Sequence, residues 1–332
     1  MRKIALLLAL CMLFSLLCAC GATEGGKVED PKPGEGDTTT PTPDENEEQN
    51  KEPDPTPEDP DKNEPDDTPE REDDGAFITE NAADFDKTFG GWENVNVEEL
   101  EISYSDLSLV NAQNKYDSSL ADDPVRVKEF NSNGLAMVNS SKFMLNFITL
   151  RKLQEMTFYM NEALSVNYRY CIQAGYLTNE ELNTLNGSYP NEYPEKGGES
   201  ALNTGNAVVV SVYTGAMNYS FMDSAVSKVA NWTKDNAHKY GFVMIGQYGE
   251  NAQLRYVGVA HATYMYENEL DLEGYLAKLK GGEKLQITTE GNLTYTVYYA
   301  SGATIELPKD MVYSVCADNM GGYIVTVKGI CQ

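Results

Sequence analysis

Residues 255–262 read RYVGVAHA, and the chain continues with Tyr266-Glu267 and with LEGYL at 272–276. Two upstream stretches accompany this segment: NAHKYGF at 236–242 and SALNTGNAVV at 200–209. Taken together, the three stretches are specific enough to indicate one fold. The periodicity of the surrounding residues then predicts which elements build it.

Helices and strands are both predicted around these stretches. Apolar residues recur at helical spacing over 140–164, which predicts a core helix, and again over 226–237 and 272–279. A β-branched run predicts a buried strand at 207–213, and a short strand follows at 242–245. This mixture indicates an α+β body.

The last 50 residues have a different periodicity. Apolar and aromatic residues alternate with other residues along 293–299, which is typical of a strand. Turn residues at 301–302 and 319–322 mark hairpin candidates. We therefore expect residues 281–332 to form a small C-terminal β appendage.

The quoted stretches resemble VanY-type D-alanyl-D-alanine carboxypeptidases, which are zinc peptidases that trim peptidoglycan stem peptides. Leu109-Val110-Asn111 resembles the family's opening motif, and residues 319–325 resemble a C-terminal extension found on some members. The likeness spans roughly 105–280. It implies an antiparallel sheet flanked by helices, in a domain that we place at 76–280 together with an N-terminal extension.

The residues that bind zinc in the family are replaced in this chain. The family motif Ser-x-His-x-x-Gly-x-Ala-x-Asp supplies two ligands, and here it has Leu202 for the histidine and Val209 for the aspartate. The motif Glu-x-Trp-His supplies the general base and the third ligand. The glutamate persists as Glu250, but the histidine becomes Gln253, with the register fixed by residues 255–258.

These replacements predict that zinc, the family's cofactor, is lost. Catalytic zinc needs three ligands from cysteine, histidine or carboxylate side chains. Leu202 and Val209 have no lone pair, and Gln253 offers only a neutral amide oxygen. Without a metal to acidify water, Glu250 is at most a vestigial general base. Hydrocarbon at two ligand positions would also stabilise a core that needs no metal.

Residues of a peptide-binding groove are also implied by the resemblance. Arg169, within Tyr168-Arg169-Tyr170, matches the family arginine that grips the substrate's terminal carboxylate, and Gln173 lies nearby. The alternative for Arg169 is a surface arginine at a helix end. Further substrate contacts are expected from the loop at 200–205 and the strand after Glu250: Ser200, Asn203, Thr204, Gly205 and Arg255. The alternative for the loop residues is an ordinary turn.

Three functions remain open at this point. The first is non-catalytic binding of peptidoglycan stem peptides or of a cell-wall protein. The second is an active D,D-carboxypeptidase that draws metal ligands from Glu199, Asn203, Glu250 or another residue. The third is a structural adaptor in a surface complex, in which the groove is closed.

The N-terminus reads as a lipoprotein signal peptide over residues 1–20. Arg2-Lys3 precede an apolar run at 4–17 that is too short to span a bilayer. The following Leu17-Cys18-Ala19-Cys20-Gly21 resembles a bacterial lipobox, so we expect lipid on Cys20 and an extracytoplasmic protein anchored to the cell membrane. The alternative is an ordinary secretory signal cut near Ala19.

Residues 21–75 read as a disordered acidic tether. They hold 10 of the 14 prolines and carry 21 acidic against 5 basic residues, but no Phe, Tyr, Trp, Leu or Ile. Such a segment cannot bury enough apolar surface to fold. We favour a spacer over an acidic interaction tail. The formal net charge of −27 for the whole chain argues against nucleic acid as a partner.

Cysteine and histidine usage offers no replacement metal site. Cys171, Cys316 and Cys331 remain after the signal, an odd number, and we predict free and mostly buried thiols. His238 and His261 are the only histidines, too few for a site with three histidine ligands. Both lie outside the motif positions that bind metal in the family, so we interpret them as structural residues.

Overall fold

A computed structural model describes residues 73–332 of the chain. The predicted signal peptide, its lipidation site Cys20 and the tether up to residue 72 lie outside the described residues. Within the described part, no helix is both long enough and apolar enough to cross a membrane.

Five α-helices and fifteen strands form the described part of the chain. The helices are α1 (Phe147–Leu164), α2 (Asn179–Ser188), α3 (Ser227–Asn236), α4 (Val259–Glu267) and α5 (Leu272–Lys280). The first strands are β1 (Trp92–Asn96), β2 (Ile102–Ser103), β3 (Pro124–Arg126), β4 (Ala136–Val138), β5 (Met144–Asn146), β6 (Arg169–Ala174), β7 (Ala207–Tyr213) and β8 (Asn218–Tyr219). The others are β9 (Phe242–Tyr248), β10 (Asn251–Tyr256), β11 (Leu285–Thr288), β12 (Thr294–Ser301), β13 (Thr304–Pro308), β14 (Val312–Ala317) and β15 (Gly322–Lys328).

The central sheet has the strand order β4-β6-β7-β10-β9, with β8 also paired to β7. All of its pairs are antiparallel except β4 with β6. Helices α1 and α3 contribute to its main core, where Leu150, Leu153 and Met160 meet Val208 and Val210. The expected α+β fold, an antiparallel sheet flanked by helices, is confirmed.

The C-terminal strands form a second sheet with a strand from the beginning of the domain. Its order is β11-β12-β15-β14-β2, and β1 pairs separately with β13. Helices α4 and α5 share one apolar core with this sheet, in which Tyr275 and Leu279 pack with Val297 and Ile324. Residues 281–332 therefore form a β-rich extension whose core is completed by helices before residue 281.

The folded part begins before residue 76, where the predicted tether was expected to end. Asp73 forms an ion pair with Arg151 of α1, and the Arg151 side chain is only 1% exposed. The Asp73 carboxylate also accepts a hydrogen bond from the Ser132 amide. Residues 73–75 thus pack on the domain instead of belonging to the tether. The sequence did not indicate this, since Asp73 continues an acidic run.

The three cysteines of the described chain are free and buried, as predicted. Cys316 in β14 lies opposite Ile324 of β15. Cys331 follows β15 and belongs to another apolar cluster, with Val315 and Val327.

Candidate functional site

The loop before β7 places one of the aligned ligand positions in the interior. Ser200 caps the 3-10 turn Ala201–Thr204, and its Oγ accepts a hydrogen bond of 3.3 Å from the Leu202 amide. Gly205 ends the turn at φ 76°, and a Cβ there would lie 2.1 Å from Oδ1 of Asn146. Only glycine fits this backbone conformation beside Asn146, so the loop is fixed in place.

The three positions aligned with the family's zinc ligands converge on one region. Leu202 and Val209 are 0% and 2% exposed and belong to the same small apolar cluster. Gln253 is 4% exposed and lies directly opposite Val209 in the β7–β10 register. The fold therefore brings together the positions that the motif alignment selected.

The residues at these positions do not fit a zinc ion. Leu202 and Val209 offer no donor atom, and Gln253 contributes only a carboxamide. The alternative donor Glu199 forms an ion pair of 2.9 Å with Lys115. Among the described residues, no group of three or more His, Cys, Asp or Glu side chains could hold a metal ion.

A cavity of about 330 Å³ lies beside these positions. Its lining comes from β6, β7, the β9–β10 turn and the loop after α2: Gln173, Ala174, Asn191, Glu192, Tyr193, Val209, Tyr248, Gly249, Glu250 and Asn251. Glu250 is exposed, and its carboxylate accepts a hydrogen bond of 3.0 Å from Ser220 Oγ. The cavity thus combines carboxylates, amides and tyrosines at the edge of the apolar cluster.

Two tyrosines shape one side of the cavity. The Tyr248 hydroxyl donates to the Glu195 carboxylate and lies 3.3 Å from Ser200 Oγ. Its ring centroid is 6.1 Å from that of Tyr193, edge to face. Burial, followed by the negative charge of Glu195, raises the pKa of Tyr248, which keeps the hydroxyl a neutral donor. No sequence motif marked either tyrosine as a site residue; the only signal was the proximity of Tyr248 to Glu250 in the chain.

Arg169 lies outside this cavity. It is the first residue of β6 and not a helix end, and its Nε donates a hydrogen bond of 2.6 Å to the Gly134 carbonyl. The same strand reaches the cavity only at Gln173 and Ala174, roughly 13 Å further along. The structure therefore does not bring Arg169 together with Glu250.

The polar side chains of the 200–205 loop bind the protein itself. Asn203 Oδ1 accepts from the Gly198 amide at 2.9 Å, and its Nδ2 donates to the Leu177 carbonyl at 2.7 Å. Thr204 Oγ1 donates to the Ala201 carbonyl at 2.8 Å. These hydrogen bonds stabilise the loop whose residues we expected to contact substrate.

Arg255, another expected substrate contact, is buried against the backbone of the 105–108 segment. It is 3% exposed, and its Nη2 donates to the carbonyl oxygens of Ser105 and Ser108 at 3.2 Å and 2.6 Å. Burial lowers the pKa of Arg255 to about 10, while the nearby Asp106 raises it. The charged guanidinium therefore holds the 105–108 segment against β10.

Both histidines contact other side chains of the fold. His238 stacks on Tyr266 with ring centroids 3.8 Å apart. His261 Nδ1 lies 2.7 Å from the Tyr275 hydroxyl, and its Nε2 lies 3.0 Å from Thr326 Oγ1. Neither histidine lines the cavity beside Glu250.

Comparison with known proteins agrees with the motif resemblance. No protein-family model matches the chain. The chain is 27% identical over 248 residues to a D-alanyl-D-alanine carboxypeptidase from Enterococcus faecium, an alignment that covers 70% of this chain and 78% of the relative. A stretch of 96 residues is 35% identical to YodJ of Bacillus subtilis (strain 168) and covers 25% of this chain and 33% of YodJ.

The fold is shared with a solved structure. It is the vancomycin resistance D,D-dipeptidase VanXYg, crystallised with a D-Ala-D-Ala phosphinate analogue. The TM-score is 0.54 at 19% identity, and the match covers 72% of this chain and 98% of VanXYg. The chain is therefore similar over most of its length to a D-alanyl-D-alanine carboxypeptidase, and it shares the fold of VanXYg.

Proposed function

We propose that this protein is a cell-surface lipoprotein whose carboxypeptidase-like domain binds peptidoglycan stem peptides, or a wall partner, without cleaving them. The observation that carries the proposal is the pair of buried aliphatic side chains, Leu202 and Val209, where the family has zinc ligands. Full burial of such a side chain contributes about 1.5–3 kcal/mol. The domain is therefore stabilised at this point by hydrocarbon, not by a metal ion.

The chemistry of the remaining residues supports a non-catalytic role. Peptide hydrolysis by this family depends on a metal that acidifies water and polarises the carbonyl. Glu250 is exposed and accepts a hydrogen bond from Ser220. The neutral carboxamide of Gln253 cannot replace the positive charge of a metal ion. A lone carboxylate supplies neither function of the metal, so we expect no release of D-alanine.

Peptide binding is supported by the cavity that persists beside the aliphatic cluster. Gln173, Asn191 and Asn251 line it, and carboxamides can donate to and accept from a peptide backbone. The Enterococcus faecium relative is named for its action on D-alanyl-D-alanine. The proposed lipid on Cys20 and the acidic tether that follows it would hold such a domain at the outer face of the membrane, within reach of the wall.

The test is a calorimetric titration of the protein with a stem pentapeptide that ends in D-Ala-D-Ala. A separate assay measures free D-alanine in the same mixture. We expect saturable binding without D-alanine release. Asn251→Trp, which fills the cavity, should abolish binding, whereas Asn231→Trp on the exposed face of α3 should not. D-alanine release would overturn the non-catalytic role.

A structural adaptor is the second candidate, and one observation favours it. Both arginines that were expected to contact substrate are committed to backbone carbonyls, Arg169 to Gly134 and Arg255 to Ser105 and Ser108. Absence of binding to any stem peptide in the same titration would favour this adaptor role.

A further inference from the structure

The cavity beside Glu250 carries negative charge. Glu192 and Glu250 line it, and Glu195 is bonded to the lining residue Tyr248. The described residues that line the cavity include no lysine or arginine. A cleft lined by one sign of charge concentrates ligands of the opposite sign. This cavity therefore disfavours a C-terminal carboxylate and favours a cation.

The tyrosines of the cavity suit an organic cation. Tyr193 and Tyr248 present rings at 68° to each other, with centroids 6.1 Å apart. An ammonium group is attracted to the face of such a ring within about 6 Å of its centroid. Rings beside carboxylates favour an alkylammonium over a hydrated metal ion, because the alkyl chain packs on the ring while the charge meets the carboxylate.

An unpartnered amide on the same sheet face favours a ligand that also carries a hydrogen-bond acceptor. Gln253 lies opposite Val209 and two residues after Asn251, and both of these neighbours line the cavity. Side chains at these positions share one face of the sheet. Gln253 is 4% exposed, yet its Nε2 has no hydrogen-bond partner. A buried donor without a partner is costly, and a peptide carbonyl entering the cavity would satisfy it.

We infer that this cavity binds a peptide through a free side-chain ammonium group, with a neighbouring carbonyl accepting from Gln253, and not through a terminal carboxylate. An uncross-linked stem peptide that contains a diamino acid has this chemistry. The inference rests on the proposed peptide-binding function and specifies which group of the peptide is recognised.

The experiment compares three probes on the whole protein. The first is a stem peptide with a free side-chain amine, the second is the same peptide with that amine acetylated, and the third is Nα-acetyl-lysine methylamide. We expect acetylation to weaken binding at least tenfold, and we expect the lysine derivative to bind weakly. NMR shifts of the Tyr248 and Glu250 resonances would locate the binding site.

Two variants test the role of the carboxylates. Glu192→Gln and Glu250→Gln should each weaken binding of the free amine several-fold and leave binding of the acetylated peptide unchanged. The matched control is Glu180→Gln, since Glu180 is an exposed glutamate of α2 that lies outside this cavity. It should change neither affinity.

The outcomes separate the inference from the function on which it rests. Equal affinity for the free and acetylated peptides would overturn the inference and leave the proposed function standing. Binding of the lysine derivative alone would support an ammonium site and contradict stem-peptide binding. Absence of binding by all three probes would contradict both.

Discussion

Leu202 and Glu250 differ in what they contribute to this protein, although the motif resemblance aligns both with the catalytic centre of VanY-type peptidases. Leu202 is fully buried in the small apolar cluster, whereas Glu250 is exposed. We predict that Leu202→Ala lowers the free energy of unfolding by about 2–5 kcal/mol, because it removes buried methyl groups and leaves a cavity. Glu250→Ala should change it by less than about 0.5 kcal/mol. Urea denaturation measures both changes in the free energy of unfolding. Equal changes for the two variants would show that the Leu202 side chain does not stabilise the core.

The three positions aligned with zinc ligands, Leu202, Val209 and Gln253, allow a test in which zinc binding is restored. Leu202→His, Val209→Asp and Gln253→His together restore the family's donor set at residues that the fold brings close to one another. We predict that this triple variant melts at a lower temperature than the wild type, because it buries polar groups. It should regain stability on adding zinc, since a metal that binds only the folded state stabilises it.

The control for this test is the double variant that keeps Gln253. It should show a much smaller recovery with zinc because it lacks the third donor. If zinc fails to stabilise the triple variant, the three positions do not converge on a metal-sized space.

At the scale of elements, local patterns predicted the buried strand and helices, but pairing between distant segments decided the rest. Strand β7 was predicted over 207–213 and forms there, because six of its seven residues are buried and apolar runs mark such strands. Helix α1 starts at Phe147 and not near 140, because residues 144–146 pair with β3. No local pattern could reveal that partner, which lies about 20 residues upstream.

In the C-terminal sheet and in the candidate site, too, local patterns predicted individual elements but not how distant segments come together. The alternation over 293–299 predicted a strand, but only the pairing of β14 with β2 shows that the sheet includes the start of the domain. The motif alignment selected Leu202, Val209 and Gln253, and the fold places these residues in one region. The alignment could not place Tyr248 in the cavity or Arg169 outside it, since both depend on where the strands end.

His261 joins three elements and makes their packing depend on pH. It connects α4 to Tyr275 of α5 and to Thr326 of β15. Burial lowers the pKa of His261 to about 4, whereas an unfolded histidine titrates near pH 6.5. The unfolded state therefore takes up the proton first, and the free energy of unfolding should decrease as the pH falls from about 6.5 to about 4, by about 3 kcal/mol in total.

The measurement is urea denaturation across this pH range for the wild type, His261→Asn and His238→Asn. The His261→Asn curve should lose most of this slope, whereas His238→Asn should keep it. Parallel curves for the wild type and His261→Asn would contradict the role of His261.

At the scale of the whole molecule, Asp73 holds the first described residues of the chain against helix α1. Its carboxylate meets the buried guanidinium of Arg151, whereas Asp74 is exposed and 4.0 Å from the same group. We predict that Asp73→Ala lowers the free energy of unfolding by about 3–5 kcal/mol, because it removes the direct partner of a buried guanidinium and leaves only Asp74 at 4.0 Å. Asp74→Ala should cost less than about 1 kcal/mol. Equal effects in urea denaturation would show that Arg151 does not depend on Asp73.

The central claim is that a peptidase-like domain has become a metal-free binding module. The most direct measurement is the zinc content of the protein after incubation with zinc and removal of excess metal. Leu202, Val209 and Gln253 predict substoichiometric zinc, far below one ion per chain. One tightly bound zinc ion per chain would contradict the account.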